Sequence, residues 1–378
     1  MPEVFLTTSI AFIITFIAVP VVIGIAESKR LYDLPNERKV HTRLIASLGG
    51  IGIFGGFVLS SLLSIHESFF PEFQFYYAAI LVIFILGLMD DLMELSASKK
   101  LVGQVIAASI LVHLGDIRLT SMHGLFGIQE LPEGFSLALS YLTIIVVINS
   151  FNLIDGVDGL ASGLGIVSMV VFGAYFLAIG LQAYALFSFA LAGSLLAFLI
   201  FNHQPARIFM GDSGSLLIGL VNAILVIRFI NVAEMPGIAV PVPSAVAVGI
   251  AILIVPLLDT LRVFSIRMLH GRSPFSPDKN HIHHFLLDTG LSHAGVGLVC
   301  VGINFGFILM AWWARSLGNN IVLLAILLLS CLGYGMLYYG RSKRSRLVHS
   351  DRTDQQGSFP ASSKIVKLNN EKSVANDR

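Results

Sequence analysis

Charged residues are scarce in this chain of 378 residues. Asp, Glu, Lys and Arg together make up 12% of it, whereas hydrophobic types make up 55%. Soluble globular proteins carry about 25% charged residues, so this composition is too apolar for a surface that faces water on all sides. The formal net charge is +1, and no basic stretch with interleaved aromatic residues occurs, so nothing indicates nucleic-acid binding.

Cysteine is almost absent as well. Cys300 and Cys331 both lie in apolar runs, and no CxxC or other metal-type spacing occurs. The two thiols therefore predict neither a structural disulfide nor a nucleophile. A basic segment before the first apolar run is also missing, and the run from Val4 to about Ala26 is too long for the core of a cleaved signal peptide. We interpret this run as a retained first helix.

Long apolar runs dominate the rest of the chain. A membrane-spanning helix needs roughly 20 mostly apolar residues. The sequence therefore predicts an all-α, polytopic membrane protein with about eleven transmembrane helices, of which the third and fourth are the shortest and must draw on their flanks. The predicted spans are 4–25, 47–65, 75–89, 101–115, 136–151, 160–179, 182–201, 213–230, 238–258, 295–314 and 320–340.

The distribution of Lys and Arg predicts the orientation of these spans. With eleven spans, 21 of the 24 basic residues fall on one side, and only Arg118, Arg228 and Arg315 fall on the other. Because basic residues concentrate on the cytoplasmic side, the N-terminus is expected outside and the C-terminus in the cytoplasm. Residues 1–340 then form the membrane-embedded domain. Residues 341–378 begin with RSKRSR, continue as a polar stretch, and are predicted to be a disordered cytoplasmic tail.

Four polar clusters interrupt the apolar pattern. A carboxylate inside a membrane helix costs at least about 2.5–3.5 kcal/mol, so such acids are functional candidates by default. The first cluster is the pair Asp90 and Asp91, which ends the third span. Adjacent residues of a helix point about 100° apart, so the two acids are expected to serve different partners. The alternative interpretation is a polar helix end that faces water.

The second cluster is the segment NSFNLIDGVDG at 149–159. Gly156 and Gly159 prevent a regular helix there and allow backbone N–H groups to approach a ligand closely. Asn and Asp oxygens suit a hard cation such as Mg²⁺. A capped turn is the alternative, although a turn needs only one or two polar residues. This segment has four at three-residue intervals, which are Asn149, Asn152, Asp155 and Asp158.

The third cluster is Asp212, which lies between glycines at the start of the eighth span and is followed by small residues. A helix N-terminus of this kind is a ready anion site. An acid beside an anion site makes sense if a metal ion bridges them, whereas a simple helix cap is the alternative.

The fourth cluster is the ninth loop, which contains several arginines and the run HIHH at 281–284. Imidazole and guanidinium groups suit a phosphate-rich or sugar substrate. A zinc site is disfavoured because the spacing differs from the i,i+4 histidine pair of HExxH. A solvated loop is the alternative.

The topology, assigned from Lys and Arg alone, places all four clusters on the cytoplasmic side. Together they predict one site that holds Mg²⁺, phosphates and at least four acids. Metal, carboxylates and basic residues at a membrane surface favour phosphoryl transfer, in which catalysis is mostly positioning and charge neutralisation. The embedded location indicates one lipid substrate, and the cytoplasmic face indicates a soluble, nucleotide-activated second one. The residues do not name the sugar.

Four motifs carry a resemblance that extends over about residues 1–340. The segments MDDL (89–92), NSFNLIDGVDGLASG (149–163), FMGDSGSL (209–216) and SPFSPDKNHIHH (273–284) resemble the polyprenyl-phosphate N-acetylhexosamine-1-phosphate transferases. The related phospho-N-acetylmuramoyl-pentapeptide transferase belongs to the same superfamily. HIHH looks like the N-acetylglucosamine group, and Leu44-Ile45-Ala46-Ser47 departs from the Thr-Pro element of the pentapeptide enzyme.

The resemblance implies roles for individual residues. Asp212 and Asn152 look like ligands of Mg²⁺, for which Mn²⁺ is a substitute, and Asp90 and Asp91 look like the catalytic aspartate pair. Asp90 is expected to deprotonate or position the lipid phosphate, and Asp91 to contact the metal or the pyrophosphate. The implied substrate-binding residues are Arg43, Lys100, Asn149, Asp155, Gly156, Asp158, Asn202, Phe209, Arg267, His281, His283 and His284.

The implied reaction is transfer of N-acetylglucosamine-1-phosphate from UDP-N-acetylglucosamine to undecaprenyl phosphate, with release of UMP. It would initiate a cell-surface glycan at the cytoplasmic face of a bacterial inner membrane. Another UDP-N-acetylhexosamine is an alternative substrate, and a homodimer is left open. A transporter is an alternative of another class, but it predicts charges near mid-membrane, whereas these acids lie at helix ends. A membrane scaffold with incidental acids is a third alternative.

Overall fold

The computed structural model describes residues 1–29, 31, 45–65, 71–269, 271, 282–288 and 290–356, with the side chains of 283, 284, 338 and 340–356 excepted. Arg43 and His281 lie outside the described residues, and so do the side chains of His283 and His284. The described residues form thirteen α-helices and one two-stranded antiparallel hairpin. In chain order these are α1 (Pro2–Lys29), α2 (Gly49–Ser64), α3 (Phe73–Met93), α4 (Ala97–His113), β1 (Ser121–Leu125), β2 (Ile128–Glu130), α5 (Glu133–Ile154), α6 (Leu160–Ala178), α7 (Gln182–Asn202), α8 (Gly211–Val232), α9 (Ala245–Ile252), α10 (Ile254–Leu269), α11 (Ile282–Asp288), α12 (His293–Trp313) and α13 (Asn319–Gln356).

Each of the eleven predicted spans coincides with helical structure. Eight helices in the described part of the chain are long and apolar enough to cross a membrane, and α9 with α10 passes the same test as one bent pair. The remaining two, α2 and α4, are shorter, at 16 and 17 residues. The prediction of an all-α polytopic membrane protein is confirmed. The number of helices that cross the membrane and the orientation stay predictions.

Several boundaries differ from those expected. As anticipated for a short segment, α3 draws on its flanks and reaches 21 residues. The last helix continues past the predicted boundary at 340 and ends at Gln356. Residues 357–378, the rest of the predicted tail, lie outside the described residues. The hairpin of β1 and β2 was not predicted, and it depends on positive φ angles at Gly124 and Gly127 that glycine adopts without strain.

The predicted span at 238–258 is not one continuous helix. The chain there forms α9 and α10, whose axes meet at 82° on either side of Leu253. Pro256 lies in the first turn of α10, and it has no N–H to donate to the carbonyl group of Ile252, four residues earlier. A continuous helix would therefore lose a hydrogen bond at this point.

The core surrounds α8. Of the apolar part of α8, 89% is buried, and α2, α3, α5 and α6 pack against it. By contrast, only 28% of α1 and 17% of α13 are buried over the corresponding parts, although both are strongly apolar. A helix that is apolar but exposed on its outer face is expected to face lipid. The outer position of α1 and α13 therefore agrees with a membrane-embedded chain.

The helix ends meet in two groups at opposite ends of the bundle. At one, here called the site end, the side chains of Lys100 and Asn152 reach Asp212, and Gln204 Oε1 accepts the N–H of Ala294 at 3.1 Å. At the other, the hairpin end, the side chain of Asn319 donates to the His123 carbonyl at 2.8 Å and accepts the Ala247 N–H at 3.0 Å. Helix ends thus alternate between the two ends of the bundle, as the topology predicted from the positions of Lys and Arg requires.

We predict that the site end faces the cytoplasm. Ser98 is exposed at the site end, and Phe126, 75% exposed, lies in the hairpin at the other. In a Cys331→Ala background, Phe126→Cys should react with a membrane-impermeant maleimide in intact cells. Ser98→Cys should react only after the cells are permeabilised. Labelling of Ser98→Cys from outside would contradict the orientation.

Candidate active site

Asp212, in the first turn of α8, lies at the centre of the polar residues. Its Oδ2 accepts a hydrogen bond from Lys100 Nζ at 2.7 Å, and its Oδ1 accepts one from Asn152 Nδ2 at 2.9 Å. Asn152 also donates to the hydroxyl group of Ser215, one turn further along α8, at 3.0 Å. The α4, α5 and α8 helices therefore converge on one carboxylate, as the sequence predicted for Asn152 and Asp212.

Asp91 fixes the start of α8. Its carboxylate accepts the backbone N–H of Asp212 at 2.6 Å, the N–H of Ser213 at 3.1 Å and the Ser213 hydroxyl group at 2.7 Å. The first N–H groups of a helix have no partner within the helix, and the positive end of the helix dipole favours a negative charge there. Both carboxylate oxygens of Asp91 therefore form hydrogen bonds with the start of α8, and these bonds position Asp212.

Glycines allow this close approach. Gly87 lies one turn before Asp91 on α3, and a Cβ atom there would lie 2.5 Å from the Cα atom of Ser213. A Cβ atom on Gly211, whose φ is +75°, would lie 2.3 Å from the carbonyl oxygen of Ser47 and 2.6 Å from Asp91 Oδ2. Neither position has room for a side chain, so α3 and the start of α8 can meet only through glycine.

Asp90 points to different partners from its neighbour, as predicted. Its Oδ1 accepts the backbone N–H of Leu95 at 2.5 Å, and its Oδ2 forms an ion pair with Lys100. Because Lys100 also contacts Asp212, one ammonium group bridges the carboxylates of Asp90 and Asp212. The positive charge of Lys100 therefore lies between the negative charges of Asp90 and Asp212.

The loop after α5 brings two more acids to the same place. Burial raises the pKa of Asp155 to about 8, and the negative charges of Asp212, Asp91 and Asp158 raise it further in the same direction. The Asn202 side chain holds this loop, since its Oδ1 accepts the Gly159 N–H at 2.9 Å and its Nδ2 donates to the Ile208 carbonyl at 3.0 Å. The segments 149–159 and 201–215 are thereby tied to each other.

Comparison with known proteins places this arrangement in a family. Residues 73–230 match the model of glycosyl transferase family 4, and that range contains Asp90, Asp91, Asn152 and Asp212. A probable undecaprenyl-phosphate N-acetylglucosaminyl 1-phosphate transferase of Bacillus subtilis (strain 168) is 33% identical over 81% of this chain and 85% of its own length. The chain belongs to glycosyl transferase family 4. It is therefore an enzyme, and the predicted resemblance is confirmed.

Two other relatives have similar coverage. An undecaprenyl-phosphate alpha-N-acetylglucosaminyl 1-phosphate transferase of Escherichia coli (strain K12) is 30% identical over 71% of this chain and 72% of its own. A decaprenyl-phosphate N-acetylglucosaminephosphotransferase of Mycobacterium tuberculosis is 34% identical over 76% of this chain and 77% of its own. None of these names supports the transporter alternative.

Not every predicted substrate-binding residue of this family member faces Asp212. Asn149 exchanges two hydrogen bonds with the side chain of Gln104, at 2.8 and 3.3 Å. Arg267 lies on α10, is 3% exposed, and has its guanidinium 6.0 Å from the centre of the Phe264 ring. Phe209 is half-buried beside the start of α2, where its backbone bonds to Ala46 and Gly49.

The donor set fits a magnesium site of the kind that substrate completes. In the described part of the chain, no group of three or more His, Cys, Asp or Glu residues is arranged around a common point as a metal cluster. Mg²⁺ is commonly held by one or two carboxylates together with waters and substrate phosphates. Asp212 supplies such a carboxylate, and the Asn152 amide supplies an oxygen once its side-chain amide group is turned.

Sequence reasoning missed three residues of the site. Ser213 donates a hydrogen bond to Asp91, and Gln104 donates one to Asn149. The third residue is His293, whose Nδ1 lies 3.8 Å from Asp158 Oδ2. A signal existed for Gln104, which is a polar residue in an apolar helix, one turn after Lys100. No local pattern marks His293, because its neighbour, Asp158, lies in the loop after α5, more than a hundred residues earlier in the chain.

We predict that Gly87→Ala disrupts the site. The new methyl group would overlap the backbone of Ser213, so α3 and α8 must separate and Asp91 must release the first N–H groups of α8. Loss of such a cap costs about 0.5–2 kcal/mol, to which the overlap adds. Purified Gly87→Ala should show a lower melting temperature than the unchanged protein. Gly55→Ala is the matched control, because a Cβ atom there meets nothing within 4 Å; equal melting temperatures for the two variants would refute the packing argument.

Proposed function

We propose that the protein transfers N-acetylglucosamine-1-phosphate from UDP-N-acetylglucosamine to undecaprenyl phosphate. A lipid phosphate oxygen would attack the β-phosphorus of the UDP-sugar, the bond from that phosphorus to the oxygen bridging it to the α-phosphorus would break, and UMP would leave. The names of the relatives support this substrate pair. The reaction would initiate a lipid-linked cell-surface glycan on the cytoplasmic face of a bacterial inner membrane.

The observation that carries the proposal is the bridge that Lys100 forms between Asp90 and Asp212. It lies at the ends of apolar helices, where a lipid headgroup and a soluble nucleotide can meet. An ammonium group flanked by carboxylates is a site at which phosphate oxygens can exchange for carboxylate oxygens. In this proposal Lys100 changes partners and orients the diphosphate when substrate binds.

Asp90 is proposed to position the lipid phosphate and to accept its proton. Its carboxylate is held on one side by the Leu95 N–H and on the other by Lys100, so its orientation is fixed before substrate arrives. Asp91 would act through α8, since its oxygens are engaged with Asp212 and Ser213. The two members of the aspartate pair thus have separate tasks, one with substrate and one with the protein backbone.

Asp212 and Asn152 are the residues proposed to hold Mg²⁺, for which Mn²⁺ is a substitute. The ion would offset the negative charge that the diphosphate and the lipid phosphate bring together. Asn152 Nδ2 now donates to both Asp212 and Ser215, so this amide group would turn to offer its oxygen to the ion.

The nucleotide is proposed to bind beside the loop after α5. Asp155, Gly156 and Asp158 line this loop, and Asn202 ties it to the segment that carries Phe209. An aromatic ring such as that of Phe209 offers a stacking surface for uracil. Arg267 with His281, His283 and His284 is proposed to select the sugar, and Arg43 to contact a phosphate. Another UDP-N-acetylhexosamine is the alternative within this proposal.

Release of UMP tests the proposal directly. Purified protein with UDP-N-acetylglucosamine should release UMP only when undecaprenyl phosphate and Mg²⁺ are both present, and EDTA should abolish the release. A panel that includes UDP-N-acetylgalactosamine compares the sugars under the same conditions. Release of UMP without the lipid would indicate a hydrolase. Absence of release with every UDP-sugar would reject the proposed reaction.

We predict that Asp90→Asn nearly abolishes turnover. The amide keeps an oxygen for the Leu95 N–H but loses the negative charge that pairs with Lys100 and accepts a proton. General base catalysis contributes about 10²–10⁴-fold, so kcat should fall by that factor while the protein remains folded. Asp116→Asn is the control, because Asp116 is 83% exposed at the hairpin end. Turnover of Asp90→Asn close to that of the control would reject Asp90 as the base.

A further inference from the structure

The break between α9 and α10 leaves backbone groups that no helix can pair. Leu253 separates the two helices, and Ile252, Leu253 and Val255 are all at most 5% exposed, so water does not reach them. In a straight helix the carbonyl of Ile252 would accept the N–H of residue 256, but that residue is proline. Buried backbone groups without partners are strongly unfavourable, so another part of the chain must supply them.

One side chain supplies both partners. Asn304, on α12 and 1% exposed, donates from its Nδ2 to the Ile252 carbonyl at 2.9 Å. Its Oδ1 accepts the N–H of Val255 at 3.2 Å. The amide group of Asn304 therefore replaces one hydrogen bond on each side of the break, and it does so with the donor and acceptor that an asparagine side chain offers in a fixed geometry.

The direction of α10 depends on this break. The two axes meet at 82°, which turns α10 across the bundle and packs it against α5. On α10, Asp259 is 1% exposed and its Oδ1 accepts the N–H of Ile282 at 2.7 Å. Ile282 is the first residue of α11, which contains the His283 and His284 positions. The break is thus connected to the histidine-bearing helix through one buried carboxylate.

We propose that Asn304 is a positioning residue that holds the break open and thereby sets the direction of α10 and of the histidine-bearing helix α11, which carry the residues proposed to select the sugar. It acts through the backbone of Ile252 and Val255 and touches no substrate. Loss of its amide group would leave α10 free to continue α9 or to change its angle, and Arg267 and Asp259 would move with it. The expected effect on turnover rests on the proposed function. The expected effect on the angle between α9 and α10 does not.

The first variant is Asn304→Leu, which removes both hydrogen bonds at nearly constant volume. We expect kcat/KM for UDP-N-acetylglucosamine to fall about 100-fold, since a small misplacement of binding groups has an effect of that size. The KM for the UDP-sugar should rise, while the KM for undecaprenyl phosphate should stay the same. Asn222→Leu is the matched control, because Asn222 is equally buried and its Nδ2 bonds to the Ile218 carbonyl of its own helix.

The second variant, Pro256→Ala combined with Asn304→Leu, separates positioning from stability. Alanine restores an N–H that can bond to the Ile252 carbonyl in a continuous helix, so the melting temperature should recover while kcat/KM stays low. Recovery of both the melting temperature and the activity would overturn the proposal, because Asn304 would then contribute only stability. This variant also keeps the proposal testable if Asn304→Leu alone does not fold.

A distance measurement tests the geometry without any substrate. Leu269 on α10 and Leu298 on α12 are 85% and 77% exposed and can carry spin labels as cysteines in a Cys331→Ala background. The double variant should show a changed distance distribution compared with the unchanged sequence, and Asn222→Leu should not. An unchanged distribution would refute the proposal. A changed distribution together with no UMP release from the protein of unchanged sequence would instead reject the proposed reaction and leave the role of Asn304 standing.

Discussion

The carboxylate of Asp91 on the first N–H groups of α8 is the interaction on which the active site depends. It joins the end of α3 to the start of the most deeply buried helix, and Gly87 provides the space for this contact. Asp212 belongs to the same turn, so its direction follows from this cap. Lys100 and Asn152 then reach Asp212 from two further helices. Without the cap, three helices would still pack, but their polar groups would have no common point.

Side chains from one helix complete the backbone of another at several places in this fold. Asp91 does so for α8, Asn304 for the break before α10, and Asn319 for the start of α9, where it accepts the N–H of Ala247. In apolar surroundings, water cannot form hydrogen bonds with the unpaired backbone groups at helix ends. These polar side chains form those bonds instead, which offsets the cost of burying them. This pairing also fixes the position of each side chain, because the backbone N–H group that it binds is held in place by its own helix. Hydrogen bonds between a side chain of one helix and the backbone of another therefore both stabilise this fold and position the residues of the active site.

Sequence reasoning predicted the helices and singled out polar residues that the structure brings together around Asp212, because both leave strong local signals. Long apolar runs require burial or lipid, and acids such as Asp90 and Asp212 stand out against them. It did not predict which of Asp90 and Asp91 would face α8, since that depends on the rotation of α3 set by Gly87. It also missed the 82° bend, because Pro256 alone does not fix the angle and the partner that stabilises the bend, Asn304, lies far along the chain. Contacts between distant segments, such as His293 with Asp158, have no local pattern at all.

The charges of the site argue for a cation when substrates are bound. The ammonium group of Lys100 pairs with the carboxylates of Asp90 and Asp212. Asp91 accepts the N–H of Asp212, and the pKa of Asp155 is raised to about 8, first by burial and then by the negative charges of its neighbours, Asp212 among them. A nucleotide diphosphate and a lipid phosphate would add several negative charges to this place. Lys100 cannot balance them, because it already balances Asp90 and Asp212. A divalent ion at Asp212 would offset part of that charge and release Lys100 to the phosphates, which is why we propose Asp212 as a metal ligand rather than Asp91, whose carboxylate caps α8.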